Sequence, residues 1–139
     1  MEATASKQAV VPQQQSPELA ALTALASLKD GEQFAGIVRD ESGRWSIVVL
    51  LPGDADELTW KAALAWAKEQ GGELPTRREQ SLLFANLKDA FEGDWYWSGE
   101  QCAPYPDYAW IQTFDDGDQG YGHKGDRYRA RAVRRLVIQ

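Results

Sequence analysis

Two short apolar stripes of helical period, separated by a glycine- and proline-containing break, constrain the fold of this chain most. The first begins after Thr59, a favourable N-cap residue, and ends at the glycine pair 71–72. The second begins after Thr76, which forms a capping box with Glu79, because each side chain can bind the backbone amide of the other. Both helices therefore have marked ends and one apolar side that must be buried against another layer.

Apolar and aromatic runs on either side of these helices predict β-strands. Before them, residues 32–39 and 44–51 form the arms of a β-hairpin across the polar turn 40–43. The second arm is apolar on both faces, which is typical of a central strand that is covered on two sides. After the helices, alternating patterns predict three further strands, the last of which closes the sheet, at residues 95–98, 108–114 and 127–138.

The segments between these elements are rich in glycine, proline and acidic residues. Residues 54–57 are predicted to be an acidic linker, and residues 99–107, with two prolines, a loop. Residues 115–126 contain four glycines and no apolar run, which predicts a long exposed loop. The elements together predict an α+β fold in which two helices pack on a twisted antiparallel sheet.

The N-terminal part of the chain predicts a separate helix. Residues 1–15 are mostly polar or small and lack the apolar segment of a signal peptide, so we expect a flexible tail. Ser16 is placed to cap a helix that starts at Pro17 and closes at Gly31. We therefore divide the chain into a tail (1–15), a helix (16–31) and a domain (32–139). The helix either docks on its own domain or forms a homo-oligomer by pairing with another subunit.

Charge and cysteine content restrict the partners and the compartment. The formal net charge of −6 argues against nucleic acid as a partner. Residues 89–120 contain eight acids and no base, whereas residues 121–139 contain six bases and one acid. This asymmetry indicates either neutralisation between the two segments or a basic arm for nucleic acid or an acidic partner. Cys102 is the only cysteine and no apolar run could span a membrane, so we expect a cytoplasmic or virion protein.

Residues with catalytic or metal-binding chemistry are few. His123 is the only histidine, and no motif places a serine or a cysteine beside it. One histidine and one cysteine, Cys102, do not fill a tetrahedral zinc site. The acids at 115–118 suggest part of a calcium loop, but the third acid and the terminal glutamate of an EF-hand are missing. We therefore expect no enzyme activity, no metal and no cofactor.

The order of several short motifs resembles a known family. The run W-x-x-A-x-x-W-A-x-x-x-G-G-x-L-P-T-R-x-E begins at Trp60, and is followed by Y-W-S at 96–98, A-W at 109–110 and R-A-V-R at 131–134. This pattern, over roughly residues 32–138, resembles the C-terminal domain family of the bacterial Lcl collagen-like adhesins. That family is a domain of unknown function, common in phages and prophages, with a C-type-lectin-like fold. The resemblance implies the same fold for residues 32–139.

The resemblance also implies where a ligand would bind. In C-type-lectin-like domains the ligand face is built from the C-terminal loops and strands, which are rich here in aromatic and acidic residues. The implied ligand-binding residues are Tyr105, Asp107, Tyr108, Trp110, Gln112, Asp115, Asp116, Asp118, Tyr121, His123, Lys124 and Arg127.

Two functional hypotheses follow from the resemblance and the composition. The first is a non-enzymatic binding module of phage or prophage type, which recognises a macromolecule, with protein as the favoured class. The second is a structural virion or tail accessory protein that oligomerises through residues 16–30. The fold carries many unrelated binding sites, so neither hypothesis follows from fold alone.

Overall fold

Three α-helices and eight β-strands make up residues 16–138, the part of the chain described by this computed structural model. In chain order they are α1 (Pro17–Ala26), β1 (Gln33–Arg39), β2 (Trp45–Leu50), β3 (Ala55–Leu58), α2 (Trp60–Glu69), α3 (Arg77–Leu87), β4 (Trp95–Gln101), β5 (Tyr108–Thr113), β6 (Gln119–His123), β7 (Tyr128–Ala130) and β8 (Val133–Val137). A 3-10 turn at Lys88–Ala90 follows α3. The fold is α+β, and the predicted tail, residues 1–15, lies outside the described residues.

The predicted helix starts are confirmed at all three helices, whereas α1 ends at Ala26 and not at the predicted Gly31. The hydroxyl of Ser16 accepts from the amide of Leu19, and that of Thr59 from the amide of Ala62. At α3 the capping box is complete, since the Thr76 hydroxyl accepts from the Glu79 amide at 3.2 Å and the Glu79 carboxylate accepts from the Thr76 amide at 2.8 Å. These bonds satisfy amides that the helices cannot satisfy themselves.

The strands form two sheets, which corrects the prediction of a single antiparallel sheet. The first sheet has the order β1-β2-β8 and is antiparallel, with β2 in the predicted central position. The second has the order β3-β7-β4-β5-β6, and its β4–β7 pair is parallel. The predicted closing strand, residues 127–138, is divided between the two sheets at Arg131 and Ala132.

The side chain of Arg131 is buried where the chain passes from one sheet to the other. Arginine usually keeps its charged group in water, and Arg131 does not. Instead its guanidinium donates to the carbonyl of Ala90 at 2.5 Å and to that of Leu51 at 2.7 Å. Arg131 thus satisfies carbonyls from two other segments at the point where the sheets meet.

Two predicted loops contain strands. The predicted acidic linker includes β3, and the predicted loop at residues 115–126 includes β6, which pairs with β5 along its length. Strand β6 was not predicted because its glycines weaken the strand pattern of the sequence. At Gly122 glycine is required by packing, since a Cβ atom there would lie 2.6 Å from the Tyr128 ring.

The second sheet packs its aromatic residues against small ones. Trp97 is fully buried among Ala63, Ala67, Ala109 and Ala130, which leave room for the indole. On the other face of β4, Tyr96 packs with Phe114, Leu83 and Val48, which joins the second sheet to α3 and to the first sheet. The predicted strand at residues 95–98 is therefore confirmed, with Trp95, Tyr96 and Trp97 paired to β5.

Helix α1 covers the outer face of the first sheet. Ala20 and Ala24 are buried against Ile47 and Val49, so the expectation that the helix docks on its own domain is confirmed. Within residues 16–138, no helix has the length and apolar character needed to span a bilayer.

An ion pair between Glu32 and Arg134 predicts a pH-dependent contribution to stability. The Arg134 guanidinium binds both carboxylate oxygens, at 2.8 and 3.0 Å, and this hydrogen bonding lowers the pKa of Glu32 from 4.5 to about 2. Because the pKa is lower in the folded chain, the stabilisation is complete above about pH 4.5 and is lost as the pH falls towards about 2. Solvent screens part of it, since Arg134 is only partly buried.

The variant Glu32→Gln tests this pH dependence. At pH 7 we expect its free energy of unfolding in urea to be about 1–2 kcal/mol below that of the unchanged chain. The difference should fall to less than half of that value at pH 3, because the carboxylate is then largely protonated in the unfolded chain. A difference that is the same at both pH values would contradict the assignment.

Candidate functional site

Aromatic rings on the β5–β6 hairpin and in the turn before it form one continuous group, which we call the aromatic patch: Tyr105, Tyr108, Trp110, Tyr121 and His123. The three tyrosines are 37–52% exposed, and their ring centroids lie 5.7–6.3 Å apart. The Tyr121 ring packs edge-on against Trp110 at 4.9 Å, and the Tyr108 ring against His123 at 5.5 Å. The structure therefore brings together five of the residues implied by the resemblance.

Strand register places these side chains on one face. Tyr108 is opposite His123 and Trp110 is opposite Tyr121 in the antiparallel pair, and alternate residues of a strand share a face. Tyr105 joins them through a turn before β5, in which the amide of Tyr105 donates to the carbonyl of Cys102, and the amide of Tyr108 to the carbonyl of Tyr105. The residues of the patch therefore lie on two paired strands and a hydrogen-bonded turn, and not on an irregular loop.

Helix α3 supports the patch from one side. The Arg77 guanidinium stacks 3.5 Å from the centre of the Trp110 ring, and its Nε donates to Gln119 at 2.9 Å. The Gln119 amide nitrogen donates in turn to the Arg77 carbonyl and to the Gln112 side-chain oxygen. These contacts fix the indole, so Trp110 forms the floor of the patch.

Gln112 lies under α3 and not on the surface. Its side chain is fully buried, and its amide nitrogen donates to the carbonyl of Gln80 at 2.7 Å. It shares a sheet face with Tyr108 and Trp110, but the helix covers that part of the face. Gln112 therefore has no exposed atom to offer a ligand, and we remove it from the candidate surface.

The predicted acidic residues are divided between the two ends of the hairpin. Asp107 is exposed next to the tyrosines, whereas Asp115, Asp116 and Asp118 occupy the turn between β5 and β6. The five residue steps of β5 separate that turn from Tyr108 by roughly 17 Å. The turn is closed by its own hydrogen bonds, including one from the Asp118 amide to the Asp116 carboxylate.

The two basic residues of the predicted set lie outside the patch. The Lys124 ammonium lies 4.7 Å from the centre of the Trp60 ring and donates to Gln101 at 2.6 Å. Arg127 is exposed and donates to the carbonyl of Glu57. Neither shares the contacts of the tyrosines.

The base-rich C-terminal segment is neutralised only in part within the chain, and by acids that lie outside residues 89–120. Arg129 pairs with Asp54 and Asp56, and the two arginines of β8 pair with glutamates 32, 73 and 79. Between described residues, no ion pair involves an acid from the segment 89–120. That segment therefore keeps its negative charge, some of it beside the patch.

The two residues considered for catalysis, Cys102 and His123, differ in exposure. Cys102 is buried, and the exposed His123 accepts from the Gly125 amide through Nδ1 at 3.0 Å. Within the described part of the chain, no group of three His, Cys, Asp or Glu side chains could hold a metal ion. The exposed chemistry at the patch consists of aromatic faces, phenol hydroxyls and nearby carboxylates, which suits binding.

Sequence reasoning missed Arg77 and Gln119, the residues that hold Trp110 in place. One signal was available for Arg77, because a cation in the first turn of a helix opposes the helix dipole and needs another stabilising contact. For Gln119 no signal was available, since β6 itself was not recognised.

Comparison with known proteins does not extend these observations. No protein-family model matches the chain, and no curated protein matches it, so its function has to be inferred from the geometry described above.

Proposed function

We propose that this chain is a non-enzymatic binding module with a C-type-lectin-like fold, of phage or prophage type, which recognises a basic protein through the aromatic patch. The observation that carries the proposal is the exposure of three mutually contacting tyrosines on a fixed tryptophan floor. Soluble proteins rarely expose a contiguous group of this kind unless it contacts a partner. The module acts in the host cytoplasm or in the virion.

The side-chain chemistry of the patch supports protein as the ligand class. Tyrosine presents a large amphipathic surface with few rotatable bonds, so it loses little entropy on binding. The stacked Arg77 and the hydrogen-bonded Gln119 hold the floor rigid, which reduces that loss further. Tyrosine, tryptophan and arginine are also the residues that contribute most to protein interfaces.

The charge around the patch supports a basic partner. Asp107 is exposed next to Tyr105 and Tyr108, and the acids of residues 89–120 pair with no described base. A Lys or Arg side chain of a partner would meet the Asp107 carboxylate and the ring faces there, and both attract cations. Three arrangements of the fold support the C-type-lectin-like assignment: the N-terminal hairpin pairs with the C-terminal strand, two helices come after the hairpin, and four of the five strands of the second sheet follow those helices.

The triple variant Tyr105→Ala/Tyr108→Ala/Tyr121→Ala tests the patch. We expect it to keep the fold, because these rings are exposed, and to lose partner capture from a host-cell lysate by roughly 100-fold or more, as expected for three residues at the centre of an interface. Capture would be measured by quantitative mass spectrometry of proteins retained on the immobilised chain.

A matched control separates patch binding from general adhesion to aromatic side chains. Trp45 is 46% exposed on the first sheet, away from the patch, and Trp45→Ala should leave capture unchanged. Binding to a basic partner should also weaken with added salt. If the triple variant captures the same proteins at the same level, the site has been assigned to the wrong surface.

A second candidate function is a structural virion or tail accessory protein that oligomerises through residues 16–30. The observation that favours it is an exposed row of leucines on α1. This role would be compatible with a functional aromatic patch, because the two surfaces lie on different sheets.

A further inference from the structure

Helix α1 is packed with its small residues inward and its large apolar residues outward. Ala20 and Ala24 are buried against the first sheet, whereas Leu19, Leu22 and Leu25 are 52%, 64% and 49% exposed. A leucine gains much more than an alanine from leaving water, so a surface helix normally turns its leucines to the core. A helix that is apolar on both sides is typical of one that is covered on both sides.

The geometry points to a second copy of this chain as the cover: two α1 helices pack antiparallel across a two-fold axis that passes next to Leu22. Leu22 is near the middle of α1 and is the most exposed of the three leucines. In this arrangement Leu22 meets Leu22 of the second copy, and Leu19 meets the second copy's Leu25. The contact is isologous and therefore closes at a dimer.

The charges that flank the leucines favour the antiparallel direction. Glu18 lies in the first turn of α1, Lys29 follows its last turn, and residues 19–28 carry no charge. Antiparallel pairing brings each Glu18 towards the second copy's Lys29, whereas parallel pairing would oppose Glu18 to Glu18. The uncharged centre also allows two chains of formal charge −6 to approach there without local repulsion.

Residues 1–15 offer a poorer cover for the same face. Their large apolar side chains are Met1, Val10 and Val11, against three leucines to be covered. A second copy supplies three leucines in matching positions.

The expected dimer is weak and reversible. Six half-exposed leucines, with the rim around them, bury less than the ~1,200 Å² of a standard stable interface. We therefore expect dissociation in the range of roughly 10–500 μM, to be measured by sedimentation velocity on the full chain. Leu22→Glu should remain monomeric over this range with an unchanged circular dichroism spectrum. A full chain that stays monomeric throughout, or a Leu22→Glu variant that still dimerises, would overturn the proposal.

Cysteine cross-linking tests the direction of pairing. The native Cys102 is buried and does not compete, so Leu22→Cys should form a disulfide-linked dimer on mild oxidation, because facing Cα atoms at the axis fall within disulfide range. Leu19→Cys, whose copies lie roughly 9 Å apart along the helix axes in this arrangement, should cross-link several-fold less. Equal cross-linking by the two variants would overturn the antiparallel assignment.

Two further variants distinguish the α1 dimer from a cover formed by residues 1–15 and from binding through the aromatic patch. Deleting residues 1–15 should leave the dissociation constant unchanged, and a large gain in dimerisation would show that those residues cover the leucines instead. The triple tyrosine variant of the aromatic patch should still dimerise, so failure of the proposed binding function does not affect this result.

Discussion

Replacing Gly72 by alanine is expected to destabilise the fold by about 2–4 kcal/mol, through a clash that involves the backbone. A Cβ atom at this position would overlap the carbonyl oxygen of Val133 and lie 2.7 Å from Leu51 Cδ1. The neighbouring Glu73 forms a two-hydrogen-bond bridge with Val133, at 2.9 and 2.8 Å. To relieve the clash, the α2–α3 connection would have to move away from β8. This movement would break the bridge between Glu73 and Val133.

Thermal and urea unfolding of Gly72→Ala measure this effect. For a domain of this size we expect the melting temperature to fall by roughly 10 °C. Gly120→Ala is the matched control, because a Cβ atom there meets nothing within 4 Å, and we expect a change of at most about 0.5 kcal/mol. Equal stability of the two variants would show that the connection does not contact β8 in this way.

The second large effect is expected at Glu79, whose carboxylate joins a helix start to a sheet. It is almost completely buried, accepts from the Thr76 amide, and binds Arg135 through Nε at 2.5 Å and Nη2 at 2.8 Å. Glu79→Ala removes half of the capping box and leaves the Arg135 guanidinium with weaker partners in a partly buried site. We expect a loss of about 3–5 kcal/mol in the free energy of unfolding.

A double-mutant cycle isolates the ion pair from the cap. Arg135→Met alone should also destabilise the fold, because it leaves the buried Glu79 carboxylate without its cation. The double variant Glu79→Ala/Arg135→Met should lose less than the sum of the two single changes, with a coupling of about 1–3 kcal/mol. Strict additivity in urea unfolding would mean that the two side chains do not interact in solution.

Helix starts and the first hairpin could be predicted from the sequence because their causes are local. A cap involves residues three positions apart, and the turn at residues 40–43 is closed by the amides of Ser42 and Arg44, which donate to the Asp40 carboxylate. The strands at 95–98 and 108–114 were also predictable, because their aromatic residues alternate. Within the candidate site, Tyr108 and Trp110 follow from the same alternation.

Other features depend on a partner that is distant in sequence. Strand β6 has little strand propensity of its own and exists because β5 supplies its hydrogen bonds. Gln112 has the spacing of a patch residue, yet α3 covers it. The acids at 115–118 are close in sequence to the tyrosines, yet an extended strand carries them to the opposite end of the hairpin.

By itself, the sequence determined the helix starts, most of the strands and the aromatic character of one strand face. Only the tertiary structure decided how the strands divide between two sheets, that Arg131 is buried between them, and which side of α1 meets the core. The physical reason is that caps and turns are satisfied within a few residues, whereas strand pairing and side-chain burial depend on atoms that only folding brings near.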